Sequence, residues 1–125
     1  MPRYAGRVFF LLILILSSWG CAHRNRPENL GPMPATGLRD GVYRASVAHF
    51  PGRADVEVEI RDGRLLEVRM LLDRAFLGTE AGRVMPGRIV AAQSTDVDAV
   101  SGATGSSNII LEAVQAALDQ ARVGP

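Results

Sequence analysis

The sequence predicts a small α+β domain, in which an antiparallel β-meander is packed by a C-terminal helix and a short second helix. Asp62-Gly63 separates two stretches in which apolar and polar residues alternate, as in a β-hairpin. A further alternating stretch precedes this hairpin. Near the C-terminus, Ile110, Val114 and Leu118 form an apolar stripe at helical spacing.

The first part of the 125-residue chain is typical of an export signal. Two arginines within residues 1–7 precede the apolar run 8–16, and Ser17, Ser18, the bulky Trp19 and Gly20 follow. This run is shorter than the ~20 apolar residues of a membrane-spanning helix. Cys21 follows directly, and the pattern resembles the signal of a bacterial lipoprotein. We therefore predict a signal peptide over 1–20 and a lipid on Cys21. An ordinary cleaved signal and an uncleaved anchor are the alternatives.

Residues 21–36 are predicted to be a flexible tether, followed by a folded domain over 37–123. The tether contains three prolines and few regularly spaced apolar residues, so it cannot bury enough surface to offset its ordering entropy. Ala22 is not an acidic residue of the kind that retains lipoproteins at the inner membrane. In a cell with two membranes, this favours the outer membrane.

Three strands are predicted at the start of the domain. The first is 42–49, and the second is 55–61, where Val56, Val58 and Ile60 share one face. The return strand, 65–73, is predicted to turn four apolar side chains towards the core: Leu66, Val68, Met70 and Leu72. Together the strands form a meander with one polar face.

The second half of the domain is predicted to be mostly helical. Residues 74–87 are expected to be irregular because four helix breakers interrupt them: Gly78, Gly82, Pro86 and Gly87. A short helix is predicted over 88–93, an extended segment over 95–100 and a closing helix over 107–122. The closing helix can cover the sheet with five residues: Ile110, Val114, Ala117, Leu118 and Ala121.

Composition excludes several classes of function. The 14 basic and 13 acidic residues leave a net charge of +1, and we therefore expect no nucleic-acid partner. Every basic residue is arginine, which excludes lysine-based chemistry. One cysteine and two histidines favour no metal site. No nucleophile–base pair or carboxylate pair is apparent, so we predict no catalytic residues and a protein that is not an enzyme.

Residues 98–107 combine hydroxyl groups and glycines immediately before the closing helix. A helix N-terminus carries unpaired N–H groups and a partial positive charge, which suit a phosphate. The residues alone leave a plain loop open as well, with Ser106 or Ser107 as the helix N-cap. The loop lacks the lysine of a Walker A motif and the βαβ surroundings of a dinucleotide-binding fingerprint.

The pattern Asp98-x-x-Ser-Gly-Ala-Thr104-x-Ser-Ser resembles the signature of the FMN-binding domain family. Asp40-Gly41-x-Tyr43 looks like the opening strand of that family, and residues 58–65 look like its central hairpin. Residues 106–114 look like its closing helix. The resemblance covers nearly all of 38–121 and extends well beyond one motif.

This resemblance implies FMN bound through a phosphoester to Thr104. FAD would be the donor, AMP would leave, and a separate flavin transferase would catalyse the transfer. Seven further residues are implied as cofactor-binding: Asp98, Ser101, Gly102, Ala103, Gly105, Ser106 and Ser107. Ser106, Ser107 and the N–H groups of the helix would hold the phosphodiester. The family frequently has a larger residue at Gly105, so we expect a less firmly packed flavin here.

The resulting expectation is an electron-transfer lipoprotein on the periplasmic side of a membrane. Its partners would be the flavin transferase, a membrane redox partner and the lipid bilayer, through Cys21. The alternatives are a module that binds FMN noncovalently, a small flavin-dependent reductase, and a structural lipoprotein without flavin.

Overall fold

The computed structural model describes residues 26–34, 36–73 and 79–124. The elements in these ranges are, in chain order, β1 (Gly41–His49), β2 (Gly52–Arg61), β3 (Arg64–Asp73), α1 (Thr79–Ala92) and α2 (Thr104–Ala121). The predicted α+β class is confirmed. The predicted export signal and Cys21 lie outside the described residues.

The three strands form one antiparallel sheet in the order β1-β2-β3. The β2–β3 turn places Asp62 at φ 52° and Gly63 at φ 71°. Positive φ at both central residues is typical of the tight turn that joins hairpin strands. The predicted hairpin is therefore confirmed, and α2 packs on β1 and β2 while α1 packs on β3.

A β-bulge changes which side chains of β3 face the core. The pairing of β2 with β3 shifts between Glu59 and Ile60, which leaves Leu66 as an extra residue. Leu65 is 1% exposed whereas Leu66 is 46% exposed. The prediction that Leu66 faces the core was wrong, because the extra residue reverses the alternation locally. Two other predicted side chains do pack in or against the core: Val68 and Met70. The side chain of Leu72 lies outside the described part.

Helix α1 begins well before the predicted short helix 88–93. Ala81, Met85 and Ile89 recur at every fourth residue, and all three are fully buried. Burial of this stripe stabilises a helix that contains three of the residues we expected to break it: Gly82, Pro86 and Gly87. The expectation of irregular structure up to residue 87 was therefore wrong over the helical residues. Residues 74–78 lie outside the described part.

Helix α2 begins at Thr104, three residues before the predicted start. Its N-cap is Ala103, which makes no side-chain capping bond, so neither Ser106 nor Ser107 is the N-cap. The predicted apolar stripe is buried in full: Ile110, Val114, Ala117, Leu118 and Ala121. Residues 96–100 have no regular secondary structure. Neither described helix is long and apolar enough to cross a membrane.

Residues 26–33, which we call the strap, lie along residues 93–97. The Met33 N–H donates to Gln93 O at 2.8 Å, and the Thr95 N–H donates to Gly31 O at 3.0 Å. Leu30 and Met33 pack against the core. The sequence assigned the strap to the flexible tether, whereas the structure places it against the domain. The domain boundary at residue 37 stays a prediction.

Gln93 joins the end of α1 to the start of β3. Its backbone has a positive φ of 49°. Its side-chain Nε2 donates to Leu65 O at 2.8 Å, and its Oε1 accepts from the Leu65 N–H at 3.0 Å. The amide therefore pairs with both backbone groups of one strand residue, as a neighbouring strand would.

Candidate functional site

The site is built on a tight turn over residues 100–103. The Ala103 N–H donates to Val100 O at 3.0 Å, which closes the turn. Gly102 has a φ of +80°, the value that the third residue of a type II turn requires. A Cβ built on Gly102 would meet no atom within 4 Å. The turn therefore needs glycine for its backbone conformation and not for lack of space.

Ser107, in the first turn of α2, bonds to both ends of the turn over residues 100–103. Its Oγ accepts from the Val100 N–H at 3.0 Å and donates to Ala103 O at 2.7 Å. Ser107 is fully buried. The family resemblance implied that Ser107 would hold a phosphodiester, but here its hydroxyl hydrogen is already bound to Ala103 O. Its role in this structure is to position the residues that precede Thr104.

Arg88 of α1 holds the segment just before the turn. Its Nη1 donates to Asp98 O at 3.0 Å and to Ala99 O at 3.3 Å. The peptide between Ala99 and Val100 is thus held at its carbonyl by α1 and at its N–H by Ser107 of α2. Sequence reasoning missed Arg88, because nothing in its local pattern shows which backbone it will reach.

Thr104 is exposed and is the first residue of α2. No side chain caps this helix, and no acidic residue stands in its first turn. The N–H groups of Thr104, Gly105 and Ser106 precede the first intrahelical bond, which is made by the Ser107 N–H to Ala103 O at 2.9 Å. The exposed Thr104 hydroxyl therefore lies beside a helix terminus that favours negative charge.

The remaining predicted site residues differ in exposure. Ser101, Gly102 and Gly105 are exposed, and a Cβ on Gly105 would meet no atom within 4 Å. Ser106 is 7% exposed and Ala103 is 4% exposed. Asp98 is exposed at the entrance to the loop. The surface next to Thr104 is thus made by small residues, which leave room for a large group.

A metal-binding cluster is not found in the part of the chain that the structure describes. No three His, Cys, Asp or Glu side chains come together there. His49 instead bonds Glu112 through Nε2 at 2.8 Å, linking the end of β1 to α2. Neither residue lies in the turn 100–103 or in the first turn of α2.

Residues 50–119 match the model of the FMN-binding domain family. The chain belongs to this family. The matched range includes β2, β3, α1, the turn and most of α2, but it does not include β1. FMN is therefore the cofactor of this flavoprotein, as the resemblance implied.

Proteins of two bacteria are among those that are similar to this chain. An uncharacterized protein of Treponema pallidum (strain Nichols) is 39% identical over 85 residues, which is 66% of this chain. The aligned region spans only 24% of that relative, about a quarter of its length. The crystal structure of the CPE2226 protein from Clostridium perfringens has a TM-score of 0.54 and 20% identity. The alignment covers 67% of this chain and 88% of that protein, so the likeness shows a common fold.

The residues of the site fit the phosphate end of FMN. A phosphate needs hydrogen-bond donors and a positive potential, and an uncapped helix terminus supplies both. The first turn of α2 offers backbone N–H groups without a competing acidic side chain. The first residue of α2, Thr104, is exposed and carries a hydroxyl next to these N–H groups.

Proposed function

We propose that this chain is an extracytoplasmic, membrane-tethered electron carrier whose FMN is bound through a phosphoester to Thr104. The observation that carries the proposal is the position of this hydroxyl. Thr104 is exposed on the first residue of an uncapped helix, directly after a turn that Ser107 and Arg88 hold in place.

Differences in exposure favour Thr104 over Ser106 and Ser107 as the site of attachment. Ser107 is fully buried and bonded within the turn, and Ser106 is 7% exposed. A transferring enzyme needs access to the oxygen that it modifies. Thr104, Ser106 and Ser107 carry the hydroxyls in the first turn of α2, and of these residues Thr104 is the exposed one.

Attachment of the flavin requires a catalyst from outside the loop. The Thr104 hydroxyl would lose its proton and bond to the FMN phosphorus of FAD, and AMP would leave with the other phosphate. A hydroxyl nucleophile needs a base, and phosphoryl chemistry needs a metal ion. Residues 98–107 contain no histidine. A separate, metal-dependent flavin transferase would supply both groups.

Once attached, FMN supplies reversible electron transfer, and the protein holds and orients it. The N–H groups of the first turn of α2 would bind the phosphodiester. Ser107 and Arg88 would act as positioning residues, because each fixes backbone next to Thr104. Small exposed residues on either side of Thr104, Gly102 in the turn and Gly105 in α2, leave the site open to a partner.

The tethering part of the proposal rests on the sequence before the domain. An apolar run and Cys21 precede the strap, in the order of a lipoprotein signal. Two or more acyl chains on Cys21 would hold the protein stably at a bilayer, whereas one chain gives marginal binding. The redox partner is then a component of the same membrane or of the adjacent extracytoplasmic space.

Intact mass measured after denaturation tests the attachment to Thr104. The full chain is expressed with a flavin transferase in the periplasm, and the mass of an FMN phosphoryl group should be found on it. Thr104→Val keeps the side-chain shape and removes the hydroxyl, so this mass should disappear. Thr36→Val, at an exposed threonine outside the site, serves as the matched control and should keep the mass.

The same preparation separates the alternatives. Flavin that leaves on denaturation from both the parent and Thr104→Val would contradict a covalent bond and favour noncovalent binding. Multiple turnover of a small substrate by the isolated protein would favour a reductase. Membrane flotation of Cys21→Ala tests the tether, because loss of the lipid should release the protein.

A further inference from the structure

The strap is bonded to a buried residue of the domain. Thr95 is fully buried, and its Oγ1 accepts from the Gly31 N–H at 3.0 Å. The same oxygen lies 2.7 Å from Gln115 Oε1, to which it donates, in the middle of α2. Strap, loop and helix α2 therefore meet at one hydroxyl. Loss of the strap would leave the Gly31 side of this buried group unsatisfied.

The direction of the strap is set by its pairings. Met33 pairs with Gln93 and Gly31 pairs with Thr95, so the strap runs antiparallel to the loop. At its N-terminal end, Arg26 forms an ion pair with Asp96 and donates from Nη2 to Val97 O at 3.3 Å. The strap thus begins beside residues 96–97, which lead directly into the loop that carries Thr104.

The chain after the strap enters the domain at the C-terminal end of α2. The Val123 N–H donates to Gly37 O at 2.7 Å, and the Arg39 N–H donates to Ala121 O at 2.8 Å. Helix α2 has 18 residues and separates this end from Thr104 by about 27 Å, at 1.5 Å per residue. If the tether ended at Gly37, it would join the domain at the C-terminal end of α2, and Thr104 would lie at the other end of this helix.

We propose that the strap turns the end of the domain that carries Thr104 towards the lipid bilayer. This inference rests on the proposed function, namely a lipid on Cys21 and FMN on Thr104. Four residues lie between Cys21 and Arg26, and the five steps along the chain reach at most about 18 Å, so the bilayer lies within this distance of the strap's first residue. A free tether would span sixteen residues, up to about 58 Å, and would end at Gly37.

The consequence concerns the partner of the flavin. The docked strap holds the loop 98–104 at the membrane surface and places the C-terminal end of α2 outward. The redox partner that meets this loop is therefore a group at the surface of the same bilayer. A free tether would instead favour partners dissolved in the surrounding space.

Energy transfer to the membrane measures this orientation without relying on the flavin. The lipidated full chain is labelled at a new thiol, in Ser101→Cys or in Val123→Cys, and bound to phosphatidylethanolamine–phosphatidylglycerol vesicles that contain an acceptor-labelled lipid. Cys21 is the natural cysteine, and its thiol is blocked by the lipid. Because about 27 Å of helix separates the two ends, transfer from position 101 should exceed transfer from position 123 at least about twofold.

A pair of insertions isolates the strap. Six Gly/Ser residues placed between Arg24 and Asn25 lengthen the chain between lipid and strap by up to about 20 Å and should lower transfer from position 101 by about half. The same six residues placed between Ala35 and Thr36 lie after the strap and should leave this transfer unchanged. On a free tether, the two insertions would lower it equally.

Each outcome has a distinct meaning. Equal transfer from positions 101 and 123, or equal effects of the two insertions, would overturn the proposed orientation. Failure of the chain to float with vesicles would overturn the lipid anchor and the orientation with it. Absence of FMN from Thr104 in the mass measurement would overturn the covalent attachment alone, because the dye still reports which end faces the bilayer.

Discussion

Ser107→Ala should destabilise the domain, because it removes the hydroxyl that joins the two ends of the turn before Thr104. In the parent, Ser107 Oγ accepts from the Val100 N–H at 3.0 Å. Val100 is only 8% exposed, so little water can replace this acceptor. The cost of an unsatisfied buried N–H is about 1–3 kcal/mol.

Ala103 O, which accepts from the Ser107 hydroxyl, stays partly satisfied in Ser107→Ala. Ala103 O still accepts from the Ser107 N–H at 2.9 Å after the hydroxyl is removed. The expected loss therefore comes mainly from the Val100 N–H. For a domain of this size, each kcal/mol lowers Tm by about 4–8 °C, so a cost of about 1–3 kcal/mol gives a decrease of about 4–24 °C.

Thermal unfolding of Ser107→Ala and Ser101→Ala tests this reasoning. Ser101 is an exposed hydroxyl in the same turn, and its removal should change the free energy of unfolding by no more than about 0.5 kcal/mol. If the two variants unfold at the same temperature, Ser107 does not hold the turn. A positioning role also predicts that the fraction of flavinylated Ser107→Ala, measured by intact mass under limiting transferase, falls relative to the parent.

Two further comparisons test the fold. Leu65→Ala should cost about 2–5 kcal/mol of unfolding free energy and Leu66→Ala about 0.5 kcal/mol or less, because the bulge buries the first and exposes the second; equal losses in denaturant titrations would contradict the bulge. Gly102→Ala should lower stability by about 1–2 kcal/mol because of its positive φ, whereas Gly87→Ala, inside α1 with open space around it, should raise stability by about 0.5–1 kcal/mol. The opposite signs would be measured as shifts of Tm, and a gain for Gly102→Ala would refute the turn geometry.

The hairpin and the closing helix could be predicted because their signals are local. Asp62-Gly63 suits a turn with positive φ, and the stripe from Ile110 to Ala121 needs only a helical period. Helix α1 could not be predicted in full, because Pro86 weighs against it locally while burial of Met85 favours it only in the folded domain.

The bulge and the strap illustrate a different limit. Leu65 and Leu66 are identical side chains, and the pairing with β2 decides which one is buried. The strap is bonded largely through backbone groups, such as Gly31 N–H and O, which every residue type except proline carries. Of the site, the sequence identified the loop and Thr104, but the supporting role of Arg88 depends on a contact between segments ten residues apart.

The pairing of Gln93 with Leu65 has a consequence for contacts between separate molecules. Strand β3 lies at the border of the sheet, where unpaired backbone groups can recruit a strand from another chain. At Leu65 the side-chain amide of Gln93 already bonds both the backbone N–H and the backbone C=O. A strand from another molecule therefore cannot pair with β3 at Leu65, even at high protein concentration, because a single side chain already fills these bonds.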